Sequence, residues 1–259
     1  MLRKIALAVS ALAVVTSVAV QAADEPFEPT TPKTTTTKAE PATVEAAPKP
    51  AGAVKGNAKF SGEAPAPKKV DMASDPFCEG AHECGFSRSR VTGTDGGLLD
   101  VFVELTGVPD ERYKVEEPVV LDQVGCTYKP HVFGVVKKQP IKIINSDDTL
   151  HNIHAVPRSN KEFNVGMPNK GMEIEKEFKK AEPAIHIKCD VHPWMAAICF
   201  SMEHPYFAVT AADGTFSIDT TDLPDGDYGV KIWHEVLGEA EGKVTVKDGA
   251  GTVELELKS

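Results

Sequence analysis

The stretch Ala184-Ile-His-Ile-Lys-Cys189-Asp-Val-His192-Pro-Trp-Met195-Ala-Ala-Ile-Cys-Phe-Ser-Met202 decides the fold class. Its flanks, residues 184–189 and 196–202, are short, rich in branched and aromatic side chains, and patterned at period two, which is the mark of strands and not of an amphipathic helix. The same period runs outward in both directions. Strands are expected over 54–60, 98–105, 119–123, 132–136, 141–145, 207–210, 215–218, 228–233, 243–246 and 252–257, separated by Gly, Pro, Asp and Asn. The best helix candidate is 170–180, and its charges weaken it. The expected architecture is therefore all-β, a sandwich or a pair of them.

The N-terminal fifth reads differently. Arg3 and Lys4, the apolar run 5–20 and the small-residue site Val20-Gln21-Ala22 are expected to form a secretory signal peptide over residues 1–22. A membrane anchor is the competing reading; Ala22 and the polar sequence after it favour cleavage, and no cysteine there offers a lipid attachment point. Residues 23–50 hold six prolines and seven threonines and almost no large apolar side chain, so a disordered linker is expected. The protein is expected to be periplasmic or secreted, in an oxidising compartment, with no integral membrane span after cleavage.

The loop inside the opening stretch carries the chemistry. Cys189, His192 and Met195 stand at i, i+3 and i+6, a thiolate, an imidazole and a thioether, and soft ligands of this kind favour copper. A second imidazole is available in Asn145-Ser-Asp-Asp-Thr-Leu-His151-Asn-Ile-His154. The pairing of Asn-x(5)-His-Asn with Cys-x(2)-His-x(2)-Met resembles the type 1 copper site of the cupredoxins, the plastocyanin and azurin family, and its His-Pro-aromatic-Met loop is most similar to that of amicyanin. The resemblance covers about residues 118–204 and implies a Greek-key β-sandwich binding one copper ion. His151, Cys189 and His192 would be its equatorial ligands and Met195 its axial one. It also implies that Asn152 ties the two ligand loops together and donates its backbone N–H to the thiolate. His154, three residues on along an extended chain, would point the other way. His82 and His131 are expected to be structural. An electron-transfer edge at His192, framed by Pro193, Trp194 and Ala196, would follow from the same resemblance, with Trp194 either capping that edge or packing onto the end of the sandwich. With Trp194 at the edge, Trp194→Lys would slow partner exchange and leave the copper spectrum nearly unchanged; a lost spectrum would make Trp194 structural.

A second resemblance covers about residues 205–258. The turns Thr210-Ala-Ala-Asp-Gly-Thr-Phe216 and Leu223-Pro-Asp-Gly-Asp-Tyr228 are similar to those of carboxypeptidase regulatory-like, transthyretin-type β-sandwiches. Ala53-Val-Lys-Gly-Asn-Ala-Lys-Phe-Ser-Gly62 looks like the opening strand of that family, so the module is read as discontinuous. The expected division is a β segment at 51–117, a copper domain at 118–204 and the regulatory-like module at 205–259. Residues 63–117 have no counterpart in a minimal cupredoxin.

With Cys189 on the metal, Cys78, Cys84, Cys126 and Cys199 remain. Cys78 pairs with Cys84 or Cys126, and Cys199 on its apolar strand is read as a buried free thiol. The net charge of −10 becomes −12 once residues 1–22, with two positive charges and no negative one, are removed. That balance argues against nucleic acid or anionic lipid and suits a basic redox partner such as a cytochrome or dehydrogenase. No haem-attachment motif, Ser/His/Asp order or phosphate loop is present, so an electron carrier is expected and not an enzyme. Copper delivery without electron shuttling, and an adhesion or carbohydrate-binding module, are the alternatives.

Overall fold

Alternating burial along the strands decides which faces meet. Fully burying a Val, Leu or Ile side chain contributes about 1.5–3 kcal/mol. An exposed ion pair such as Lys59–Glu254 contributes at most about 1 kcal/mol. Apolar faces therefore dominate, and the computed structural model places them in two stacked sandwiches. It describes residues 52–258 except 64, 65, 67, 83–85, 89, 90 and 92. The expected signal peptide, the expected linker and Cys84 lie outside the described residues.

In the first sandwich one sheet runs in the order β10 (Phe163–Met167), β9 (His151–Val156), β12 (Glu182–Lys188), β13 (Ala196–Met202), β7 (Val132–Val136). The other runs β11 (Met172–Lys176), β8 (Ile141–Asn145), β5 (Val119–Gln123), β6 (Tyr128–Lys129). Leu121, Ile141, Ile143, Ile153, Ile185 and Ile187 fill the space between them. In the second sandwich β15 (Thr215–Asp219), β1 (Ala53–Ser61) and β18 (Gly251–Lys258) face β14 (Phe207–Val209), β4 (Phe102–Thr106), β16 (Gly226–His234) and β17 (Gly238–Val246). Val54, Leu105, Ile218, Ile232, Leu255 and Leu257 are in its core.

A ribbon of β2 (Lys68–Val70) and β3 (Phe86–Arg88) and a short helix, α1 (Pro76–Gly80), complete the chain. Residues 51–117 thus serve both sandwiches: β1 and β4 join the second, while Met72 and Cys78 enter the core of the first. Phe102, Phe200, Phe207 and Trp233 knit the two together, with Phe102 stacked on Phe200 at 3.9 Å. A Cβ at Gly134 would lie 2.4 Å from the Phe207 ring and 2.8 Å from that of Phe102, so this close approach requires glycine.

The helix candidate at 170–180 is corrected by the structure. It is strand β11, antiparallel to β8, with Met172 and Ile174 half-buried and Glu173 and Glu175 exposed. In β12 the register shifts between Glu182 and Ile185, where Ala184 has φ +49°. Such a bulge re-aims the side chains after it, and beyond it Ile185, Ile187 and Cys189 share the buried face.

Candidate metal centre

Two strand ends deliver the polar groups to one end of the first sandwich. His151 opens β9 on the same face as buried Ile153 and Ala155, and Cys189 follows β12 on the face of Ile185 and Ile187. The antiparallel pairing of these strands, with Lys188 opposite His154, sets the two ends side by side. The loop after Cys189 is closed by its own backbone. Cys189 N donates to Met195 O at 3.2 Å and Met195 N to His192 O at 2.9 Å, while His192 N donates to Cys189 Sγ at 3.3 Å. Asn152 ties it to β9: its Oδ1 accepts Asp190 N at 2.6 Å and Val191 N at 3.4 Å.

One ligand atom each from His151, Cys189 and His192 lies within 4.8 Å of the other two, and all three side chains are buried. Met195 is fully buried beside them in the sequence of the loop. The Nδ1 atoms of the two rings face each other at 2.9 Å, and Cys189 Sγ is 3.9 Å from His192 Nδ1. Each ring is held from behind. His151 Nε2 meets Asp147 Oδ2 at 2.9 Å and His192 Nε2 meets Asp75 Oδ2 at 3.0 Å. A carboxylate can only accept, so Nε2 is the protonated nitrogen of each ring and Nδ1 carries the lone pair. Two lone pairs and a thiolate converging in a dry pocket repel unless a cation lies among them. In the apoprotein a proton can fill that role, and a donor set of two imidazoles and a thiolate fits a metal such as copper.

The electrostatics agree with this geometry. Burial works to lower the His151 imidazole, but hydrogen bonds to Asp147 and Cys189 outweigh it and lift the ring to about 9. Burial raises the Cys189 thiol, yet hydrogen bonds from His151 and from the backbone at Asn152, His192 and Val191 bring it below the ordinary thiol value. His192 is lowered, chiefly by burial.

Asp147 and Asp75, which hold the His151 and His192 rings, are residues that the sequence reading misses. Asp147 also accepts Gly125 N at 2.8 Å and Cys126 N at 2.7 Å. Positive φ at both residues, 61° and 52°, turns these successive N–H groups toward it. For Cys126 the left-handed conformation costs roughly 1 kcal/mol, which the bonds to Asp147 offset. The available signal for Asp147 was its place inside the Asn145–His151 motif. Asp75 is the N-cap of α1, 117 residues from His192, and nothing local marks it. Cys78 on the same helix forms a disulfide with Cys126. Cys199 is buried and free, its thiol pushed well up by burial.

The exposed edge expected at His192 is corrected by the structure. The ring is 2% exposed, covered by Asp75 and by Cys78, whose Sγ is 3.8 Å from Nε2. Trp194 packs beside it with ring centroids 5.1 Å apart and is itself buried, whereas Pro193 is exposed. His154 faces away, paired with Asp190 at 2.9 Å and Glu162 at 2.8 Å. His82 Nε2 meets Gly125 O at 2.7 Å, and His131 bridges Ala196 O and Glu235, each at 2.9 Å.

Fold and centre together define a β-sandwich with a buried two-histidine, one-cysteine cluster. No protein-family model matches the sequence, nor does any curated protein. Among solved structures, the copper-containing nitrite reductase of Thermus scotoductus SA-01 is similar over 38% of this chain, at 19% identity and TM-score 0.32, and this chain spans only 25% of that one. A purple cupredoxin of Nitrosopumilus maritimus is similar over 32% of this chain and 98% of its own, at 19% identity and TM-score 0.28. Amicyanin of Paracoccus versutus is similar over 38% and 96%, at 16% identity and TM-score 0.29. No helix among the described residues is long and apolar enough to cross a membrane.

Proposed function

We propose that this chain is an exported type 1 copper protein that carries single electrons between redox proteins. His151, Cys189, His192 and Met195 would hold the metal. The observation that carries this reading is the pair of Nδ1 atoms facing each other at 2.9 Å, each ring anchored by a carboxylate, with a thiol beside them. Copper bound there supplies a one-electron couple, Cu(II)/Cu(I), with no atom transferred. The protein's own contribution is rigidity. Asp147 and Asp75 fix the ring planes, Asn152 fixes the loop against β9, and the buried surroundings exclude water, so the donor atoms need not move between the two oxidation states. With four protein ligands no open position is left for substrate, which favours a carrier over an enzyme. The regulatory-like module at 205–259, joined by strands β1 and β4, would act as scaffold. The acidic surface would meet a basic partner in the periplasm or outside the cell. Adding Cu(II) to the mature protein tests the reading: an intense thiolate-to-copper charge-transfer band is expected, and Cys189→Ser should abolish it. A colourless protein, or a band that survives Cys189→Ser, overturns it. Transfer of the metal itself to an acceptor, without reversible one-electron cycling, would make the chain a copper-delivery protein instead.

A further inference from the structure

Four donors converge on Asp75. Its Oδ1 accepts the backbone N–H of Phe77 at 2.8 Å and of Cys78 at 3.3 Å. Its Oδ2 accepts the Thr149 hydroxyl at 2.9 Å and the His192 Nε2–H at 3.0 Å. A carboxyl group surrounded by donors alone is an ionised carboxylate, because its acid form would need an acceptor for its own proton. It lies on the face of His192 where the sequence led us to expect solvent, and α1 keeps that face dry: the ring is 2% exposed and the Cys78 sulfur sits against it. The segment that brings it there, 63–117, is the one without a counterpart in a minimal copper sandwich.

We infer that Asp75 is a positioning residue of the metal centre, holding His192 by its outer nitrogen and lowering the reduction potential. The inference rests on the copper reading above. A carboxylate that accepts the outer N–H of a ligand imidazole makes the ring a stronger donor and fixes its plane. Reduction brings one electron from an outside one-electron donor, moves no proton and breaks no bond, so the charge of the centre falls by one. Every resident anion opposes that change, and the Asp75 carboxylate does so at close range, 3.0 Å from a ring that is itself 2% exposed. Asp147 stands in the same relation to His151, so both imidazoles have an anionic partner and neither outer nitrogen is left to water.

The competing account makes Asp75 a helix cap and nothing more. Asn and Ser cap helices about as well as Asp but carry no charge, so Asp75→Asn and Asp75→Ser separate the two. The experiment is a potentiometric titration of the copper-loaded mature protein, with the visible spectrum and thermal midpoint recorded alongside. In Asp75→Asn the Cu(II)/Cu(I) balance should move at least tenfold toward Cu(I), which is about 59 mV upward for a one-electron couple. The charge-transfer band should persist. Asp75→Ser should move it in the same direction, and stands in if the Asn variant does not fold. A folded variant whose balance stays within threefold of the parent overturns the inference while the copper reading survives. A colourless parent overturns both.

Discussion

The Cys78 sulfur rests 3.8 Å from Nε2 of His192, a ring 114 residues further along the chain. One half of the Cys78–Cys126 disulfide thereby forms part of the roof over a candidate metal ligand. Removing both sulfurs, as Cys78→Ala with Cys126→Ala, should cost about 2–5 kcal/mol and loosen α1 over the ring. Reduction of the Cu(II)-loaded protein by a small outer-sphere donor such as ferrocyanide should then be faster than in the parent. Stopped-flow bleaching of the charge-transfer band measures it, and an unchanged rate would show that the roof does not limit access.

Asp147 supports two loops at once. In Asp147→Ala the Gly125 and Cys126 N–H groups and the His151 ring all lose their acceptor. Leaving such groups unsatisfied costs about 1–3 kcal/mol each when buried, so a loss of roughly 3 kcal/mol in urea unfolding is expected. Asp147→Asn keeps an acceptor oxygen and should lose less.

The lifted His151 ring sets a pH window. Its value of about 9 lies above the 6.5 of an unperturbed imidazole. The stabilisation it brings to the metal-free protein is therefore complete below pH 6.5 and disappears as the pH climbs through 9. Copper must displace the same proton, so apparent copper affinity should rise across that window and level off above it. Melting curves of the metal-free protein and chelator-competition titrations at matched pH check both halves; affinity independent of pH would contradict them.

The buried position of Trp194 alters what Trp194→Lys should do. On an exposed rim the change would touch only partner exchange. Packed beside His192, the indole is part of the core. Removing a buried Trp costs about 3–5 kcal/mol, so Trp194→Lys should lower the thermal midpoint markedly and shift the copper spectrum, while Trp194→Phe should retain most of both.

The contact between sandwiches is also open to test. Phe102 stacks on Phe200 across it, and Phe102→Ala should cost about 3–5 kcal/mol. Calorimetry should show a single transition in the parent and two separated ones in the variant.

Period two was legible in strands such as β8 and β15, but not in β10, whose Phe163, Val165 and Met167 alternate with Asn164 and Gly166. Strand β8 begins and ends where the alternation of Ile141–Asn145 says it should, and β7 and β13, buried on both faces, match the short apolar runs Val132–Val136 and Ala196–Met202. The reading failed where the outer face is crowded with charge. In β11, Glu173, Glu175 and Lys176 hid the alternation of Met172 with Ile174 and suggested a helix. Strand β9 went unread because it opens on His151 and Asn152, polar residues buried for reasons of chemistry. In the candidate centre, the three residues the structure brings together share one loop or one motif: Cys189 and His192 stand three apart, and His151 lies in the Asn145–Asn152 stretch. The carboxylate behind His192 was not legible, because Asp75 reaches its partner through tertiary structure, and a capped five-residue helix looks the same in sequence whatever its far side touches.

Strand β1 lies between β15 and β18, with Val54 opposite Gly251 in parallel. Pairing over almost the whole described chain is the slowest kind of contact to form, because the loop it closes is longest. During synthesis and folding the first described strand therefore waits, its edge open, until the last has emerged. The candidate metal centre, made from residues between them, can be assembled well before the second sandwich closes. Folding order then becomes a chemical matter: none of the donor groups of the first sandwich comes from β18, so their assembly does not wait for the second sandwich to close.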